Sequence, residues 1–246
     1  MKVTIHQPNF MPWLGLFHKA AMADRFVIFD HVQAMGGSSW LTRNRLLVSG
    51  EPKWFTLPIV RSGAGLPPIN EVRIQWDNRL ISKQLRTIEQ EYGRHPHFGE
   101  IHGFIMELYD ARPALIAEFN TLFIERVLAQ LGLSVMLVSS TELCRQHPEL
   151  LEVGGNELVL ATTQAAGGSD YIAGEGCLDY IHPPAFEEAG VGFWFQRYRH
   201  PVYAQHGRDE FVSHLSILDA LFNVGFDGTR ALVETEARER VTLGVR

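Results

Sequence analysis

The chain has 246 residues, of which 46% are hydrophobic and 20% charged, the balance of an ordinary globular protein with ample core. Its 22 lysines and arginines stand against 28 aspartates and glutamates, so a net charge of −6 gives no basic field to support a nucleic-acid partner. Cys144 and Cys177, the two cysteines, are too few and too far apart for a zinc pattern or a disulfide framework; they read as unpaired thiols in a reducing compartment.

No leader-like apolar segment follows Met1, and no apolar run approaches about 18 residues. A cytoplasmic protein without membrane insertion is the expectation. The opening reads strand, turn, helix, strand: Val3 to Ile5, then Pro12 to Ala23, then Arg25 to Asp30. Pro12 suits the first turn of a helix, where its missing N–H loses nothing. The second strand is nearly all apolar, as a parallel strand covered on both faces should be. Gln33 to Ser39 is a loop. Asn44–Val48 and Lys53–Pro58 form a hairpin across Ser49-Gly50-Glu51-Pro52. Arg61–Pro68 is a surface loop, and Glu71–Gln75 a further strand.

The middle is helical. Leu80, Leu85 and Ile88 line one segment, Ile101, Phe104, Ile105 and Leu108 a second, and Leu115 through Leu131 a third, stopped by Gly132. Val135–Val138 is a strand running into the capping sequence Ser139-Ser140-Thr141-Glu142. A helix over Glu149–Ala166 is interrupted at Gly154-Gly155. Strands at Tyr171–Ala173 and Val191–Phe195 precede a helix over Ser216–Asn223. Past Gly225 the residues are charged and poor in large apolar side chains. The fold class is therefore α/β: an N-terminal Rossmann-like strand-helix-strand sheet, a helical middle and a mixed α/β C-terminal part. Residues 1–225 form one domain, with 226–246 a loosely docked tail.

Polar side chains concentrate in two places. His6, Gln7 and Asn9 occupy the turn after the first strand, the position beyond a strand's carboxyl end where open α/β sheets bind ligands. Asp30 and Gln33 follow the second strand and belong to the same edge. His6 is the candidate proton acceptor, with Asp30 to orient it and Gln7, Asn9 and Gln33 to hold substrate. The second concentration is His200-Pro201-Val202-Tyr203-Ala204-Gln205, preceded by Gln196, and it reads as a binding wall. His200 is its catalytic candidate, and Gln196, Tyr203 and Gln205 its substrate-binding ones. Arg43 and Asn44, near Trp40 and Arg45, suit a phosphate or carboxylate and a stacked ring. Tyr171, ahead of Gly174-Glu175-Gly176, belongs to a turn suited to phosphate. Asp219 and Asn223, four apart on an apolar helix, read as structural. Helix capping accounts for Ser139 and Ser140, and neither cysteine has a histidine at a telling spacing. No metal site is indicated, and no cofactor is identifiable.

Several phrases, in order, resemble the WbqC-like protein family: His6-Gln7-Pro8-Asn9-Phe10 with Pro12-Trp13-Leu14-Gly15, Phe29-Asp30-His31-Val32-Gln33, Asn44-Arg45, Tyr171-Ile172-Ala173-Gly174, His200 to Gln205, and Leu215 to Asn223 with Gly225. The resemblance implies an enzyme of bacterial surface-polysaccharide and O-antigen biosynthesis acting on a nucleotide-linked sugar. Acyl or aminoacyl transfer to an amino sugar fits that setting. The chain departs from the family after Gln33, where Ala34-Met35-Gly36-Gly37-Ser38-Ser39 replaces an Arg- or Lys-bearing stretch, which bears on ligand preference. Two alternatives remain. One is a nucleotidylyltransferase-like enzyme, against which Leu14-Gly15-Leu16-Phe17 stands where the second histidine of a HIGH motif belongs. The other is a non-catalytic component that binds a nucleotide sugar.

Overall fold

The structure is a computed structural model and describes residues 1–35, 39–61, 65, 67–177 and 181–234. Five strands pair in parallel: β1 (Lys2–His6), β2 (Arg25–Ile28), β5 (Met136–Ser139), β6 (Asp170–Ala173) and β7 (Gly192–Phe195). Their spatial order is β5-β2-β1-β6-β7. The chain moves outward from β1 through β2 to β5, crosses back to lay β6 against the other side of β1, and moves outward again. Strand order therefore reverses between β1 and β6, and such a reversal opens a crevice at the carboxyl ends.

Alternation along the strands supplies both faces of the sheet. Val3, Ile5 and Val27 pack into one apolar cluster with Leu143, Cys144, Leu158 and Phe186 from α5 (Ser140–Gln146), α6 (Gly155–Ala165) and α7 (Pro183–Glu188). Phe26 and Ile28 point the other way, into a larger cluster built on α1 (Leu14–Ala21) and α8 (Ile217–Glu234). Helices α2 (Arg79–Tyr92), α3 (Phe98–Asp110) and α4 (Ile116–Gln130) join that cluster. Ile116, Phe119, Phe123, Ile124, Val127 and Leu128 give α4 its buried stripe at three- and four-residue spacing. Asn78 caps α2 by accepting a hydrogen bond from Leu80 N at 2.9 Å.

A separate two-stranded hairpin, β3 (Arg43–Val48) and β4 (Glu51–Thr56), leaves the sheet after β2. Ser49 and Gly50 both have positive φ (51° and 81°), the condition for the tight turn whose twist matches its strands. The expected strand at Glu71–Gln75 does not form: a 3-10 turn covers Ile69–Glu71. Beyond it the backbone partners change at almost every residue, Ile74 N donating to Ala114 O and Gln75 N to Pro58 O, so no ladder propagates.

The expected tail beginning at residue 226 is also corrected for its first part. The last helix kinks at Gly225 (φ 67°) and continues to Glu234, burying Phe226, Thr229 and Val233. Residues 235–246 lie outside the described residues.

Asp219 of α8 is fully buried and gathers distant elements. Its carboxylate accepts from Tyr92 Oη at 2.8 Å, Tyr203 Oη at 2.7 Å and Gln205 Nε2 at 2.9 Å. Tyr92 Oη in turn accepts from Leu47 N at 3.0 Å, and Gln205 Oε1 from Val212 N at 2.8 Å. Burial, followed by the Asp219 charge, raises both phenol pKa values far above the ordinary tyrosine range. Both phenols therefore stay protonated and donate. The phrase read as a binding wall is thus a clamp in its Tyr203 and Gln205, because both side chains end on a buried carboxylate. Asp219→Ala leaves three buried donors without an acceptor and is expected to destabilise the protein by about 3 kcal/mol or more in urea unfolding, with Asp219→Asn affected less. Equal unfolding midpoints for Asp219→Ala and the parent would show that the clamp does not hold these elements together.

Candidate functional site

The carboxyl ends of β1, β6 and β7 bring together residues that are far apart in sequence. His6 ends β1, Gly174 follows β6, Gln196 follows β7, and Lys19 reaches in from α1. Helix α1 is unusual in having no polar face: Leu14 through Ala20 are all buried, His18 and Lys19 included. Gly15 is obligatory at its start, since a Cβ there would stand 2.6 Å from the Trp13 ring.

Lys19 is only 4% exposed, and its Nζ donates to Ile5 O at 3.2 Å. An ammonium has three donors, and the other two have no acceptor among the described residues. Burial lowers its pKa from 10.5 to about 8, with the Cys177 thiol acting weakly in the opposite direction. Cys177 closes the 3-10 turn Glu175–Cys177 that follows β6, its N donating to Gly174 O at 3.0 Å.

His6 Nδ1 lies 2.8 Å from Gln7 O. A carbonyl only accepts, so Nδ1 carries the hydrogen and Nε2 keeps its lone pair. Desolvation, then the nearby Lys19 charge, lowers its pKa to about 3, so the ring stays neutral at physiological pH. A residue with that pKa is a hydrogen-bonding group more than a proton store. The group poised near neutrality is Lys19.

A Cβ on Gly174 would fall 3.8 Å from Gln196 Oε1 and 4.0 Å from Lys19 Nζ, which places the bare β6 terminus beside both groups. Gln196 is 6% exposed; its Nε2 donates to Gly15 O at 2.7 Å and lies 2.8 Å from His18 Nδ1. Since the amide N–H donates, His18 Nδ1 accepts, and burial lowers the His18 pKa to about 4. Gln7 and Asn9 are half-buried, and neither side chain has a hydrogen-bond partner among the described residues. Their amides are available to a ligand.

The other expected site residues are placed differently. Asp30 is on the same edge, but Ser139 Oγ, Ser140 Oγ, Thr141 Oγ1 and Thr141 N all donate to its carboxylate at 2.9–3.1 Å. It caps α5 instead of orienting His6. His31, beside it, has Nδ1 2.7 Å from Ser140 Oγ. His200 Nδ1 donates to Pro201 O at 2.9 Å, and its ring sits among Trp13, Tyr198, Phe211 and His214 at 5.0–6.5 Å. The expected triad of His6, Asp30 and His200 is therefore replaced by three separate sets of partners. Burial lowers the His200 pKa.

Tyr171 is 2% exposed and stacks on Phe186 at 5.3 Å, inside the apolar layer, which makes its ring part of the core. Asn44 is 3% exposed and its Nδ2 donates to Met11 O at 2.8 Å, which makes it a structural clasp. Gln33 is exposed and bridges to Pro68. Arg43 remains half-buried on the hairpin, its guanidinium 4.0 Å from the Trp54 ring centroid. Gly36, Gly37 and Ser38 of the departing segment lie outside the described residues.

Among the described residues, no group of three His, Cys, Asp or Glu side chains is arranged to hold a metal ion. No helix among them is long and apolar enough to cross a membrane.

A parallel five-stranded sheet whose order reverses between β1 and β6, with a buried amine and a neutral imidazole at that point, defines an α/β protein of the doubly wound kind. The chain belongs to the WbqC-like protein family, whose model matches residues 7–231. It is 29% identical over 226 residues to the uncharacterized protein Rv1507c of Mycobacterium tuberculosis, a match covering 91% of this chain and 94% of that one. No solved structure matches the chain significantly.

Holding Lys19 charged in this environment is unfavourable. Lys19→Met is therefore expected to stabilise the protein near pH 7 by up to about 3 kcal/mol, from the displacement of the amine pKa from 10.5 to about 8. The sign follows from linkage. Below about pH 8 the amine is protonated in both folded and unfolded chains, and the full penalty applies. Above it the folded chain loses its proton first, parent stability rises, and the advantage of Lys19→Met shrinks. Thermal unfolding of both proteins between pH 6 and 10 checks this; an advantage independent of pH would mean the amine is not buried.

Proposed function

We propose that the chain is a transferase that moves an acyl or aminoacyl group onto the amino group of a nucleotide-linked sugar, within the assembly of bacterial surface polysaccharide. Family membership supports the setting. The observation that carries the chemistry is the buried Lys19 amine, brought near pH 8 by burial and set beside a permanently neutral His6 at the crevice between β1 and β6.

Amide formation requires a nucleophilic nitrogen to shed a proton as its new bond to the acyl carbon forms. Neutral Lys19 accepts that proton, and the resulting ammonium returns it to the departing group, so the amine ends the cycle as it began. His6 Nε2, kept unprotonated, accepts a hydrogen bond from the attacking amine and aims its lone pair. The Gln7 and Asn9 amides hold the sugar hydroxyls and the acyl oxygen. While charged, Lys19 also offsets the negative charge that gathers on that oxygen. Its two unused donors suit this work.

The test is incubation with nucleotide-linked amino sugars and thioester acyl donors, read by mass spectrometry as acyl addition to the sugar. Turnover should rise with pH through a midpoint near 8 and level off above it, as Lys19 becomes a free base. Lys19→Met and His6→Ala should each lower it by about 100-fold or more while remaining folded. Full turnover in Lys19→Met would remove the proposed proton carrier. Tight nucleotide-sugar binding with no product from any donor would instead favour a non-catalytic binding component.

A further inference from the structure

The outward face of the hairpin carries a second feature that the crevice chemistry does not use. Trp40 and Trp54 are 46% and 43% exposed, and their rings lie 5.4 Å apart. Strand register places Arg45 directly across from Trp54 and Arg43 one step along on the same face. The Arg43 guanidinium lies 4.0 Å from the Trp54 centroid, and that of Arg45 lies 5.6 Å from the Trp54 ring and 6.0 Å from Trp40. Two large aromatic rings left in water beside two arginines are uncommon on a protein of net charge −6.

The arginines are also under-used. Arg45 donates to His214 O at 3.0 Å, but among the described residues neither arginine has a carboxylate partner, and Nε of each is buried without an acceptor. The Arg43 side chain makes no hydrogen bond or ion pair among the described residues. Directly across from Arg43, Thr56 opens a cleft of about 500 Å³ that also takes in Thr42, Ile59, Arg61, Gln75 and Asn78.

We infer that this platform binds the nucleoside diphosphate part of the sugar substrate, with the base stacked on the tryptophan pair and the phosphates on Arg43. The inference rests on the transferase reading and specifies its substrate. A flat ring with an anion attached satisfies both halves of the platform: the rings offer stacking, and the guanidinium offers a paired-donor fork without an internal partner. The platform is fixed to the crevice. Trp40 O accepts from Phe10 N at 2.9 Å, and Asn120 Nδ2 donates both to Pro8 O at 2.7 Å and to Leu41 O at 2.9 Å. The base-binding rings and the loop bearing Gln7 and Asn9 therefore keep a constant relation, as a substrate anchored at one end and reacting at the other requires.

Calorimetric titration with uridine, guanosine, cytidine and thymidine diphosphates, each without sugar, tests the inference. One or more should bind the parent protein. Trp54→Leu and Arg43→Gln should each weaken that diphosphate by about tenfold or more, and Trp54→Phe should retain most of the affinity. Trp40→Leu repeats the stacking arm should Trp54→Leu fail to fold. Unchanged binding in the folded Trp54, Trp40 and Arg43 variants would overturn the platform and leave the transferase reading standing. No binding of any diphosphate to the parent would overturn the nucleotide-linked acceptor, and the platform with it.

Discussion

The loop from Pro8 to Pro12 runs through the interior, and a buried backbone must have its carbonyls met. Four side-chain and main-chain donors from remote parts of the chain do this. Asn120 of α4 takes Pro8 O, Asn44 of β3 takes Met11 O at 2.8 Å, Ser216 Oγ takes Met11 O at 2.7 Å, and Ile217 N takes Pro12 O at 2.9 Å. Met11 is held at φ 40°, a conformation that a non-glycine residue keeps only when its surroundings demand it. The turn that presents Gln7 and Asn9 is thus tied to the hairpin, the middle helices and the last helix at once. With the turn secured from outside, those two half-buried amides need not serve its backbone.

The crevice is governed by a conflict between burial and charge. A lysine on a helix enclosed on all sides has few ways to keep its proton, and its neighbour His6 has fewer. Burial lowers both pKa values, and the Lys19 charge lowers that of His6 further. Both stand at the reversal point of the sheet, next to a glycine that leaves the β6 terminus bare. Gln196 then joins the far strand to the first turn of α1, so the walls of the crevice are set by hydrogen bonds as well as by apolar contact.

Much of the architecture was legible because periodicity is strong where burial is two-sided. The apolar runs at Val3, Phe26, Tyr171 and Phe193 announce parallel strands, and Leu115 through Leu131 announces a helix. Gly225 misled as a stop, because a glycine that kinks a helix looks the same in sequence as one that ends it, and the following buried positions are widely spaced. The site was legible in part. His6, Gln7 and Asn9 stand out after a strand, but sequence alone does not separate a polar residue that holds the fold from one that faces a ligand. Asn44, Tyr203 and Gln205 are amides and phenols in good site phrasing, yet their partners are carbonyls and Asp219, all supplied by distant segments. Lys19 was overlooked, though it had a signal: it and His18 are the only side chains with polar groups in an otherwise apolar helix.

The pairing of Lys2 with Asp170 and of Val3 with Tyr171 joins strands separated by 168 residues. During synthesis the first strand therefore waits, with one hydrogen-bonding edge open, until the segment 168 residues further along the chain has left the ribosome. Contacts of such high sequence separation close late and slowly, and an unpaired strand edge invites association with other chains. Lys19 emerges early as an ordinary solvated amine, and its altered basicity arrives only when the final strands seal the sheet. Forms of this protein that end before β6 therefore keep Lys19 as an ordinary amine, without the lowered basicity of the folded chain.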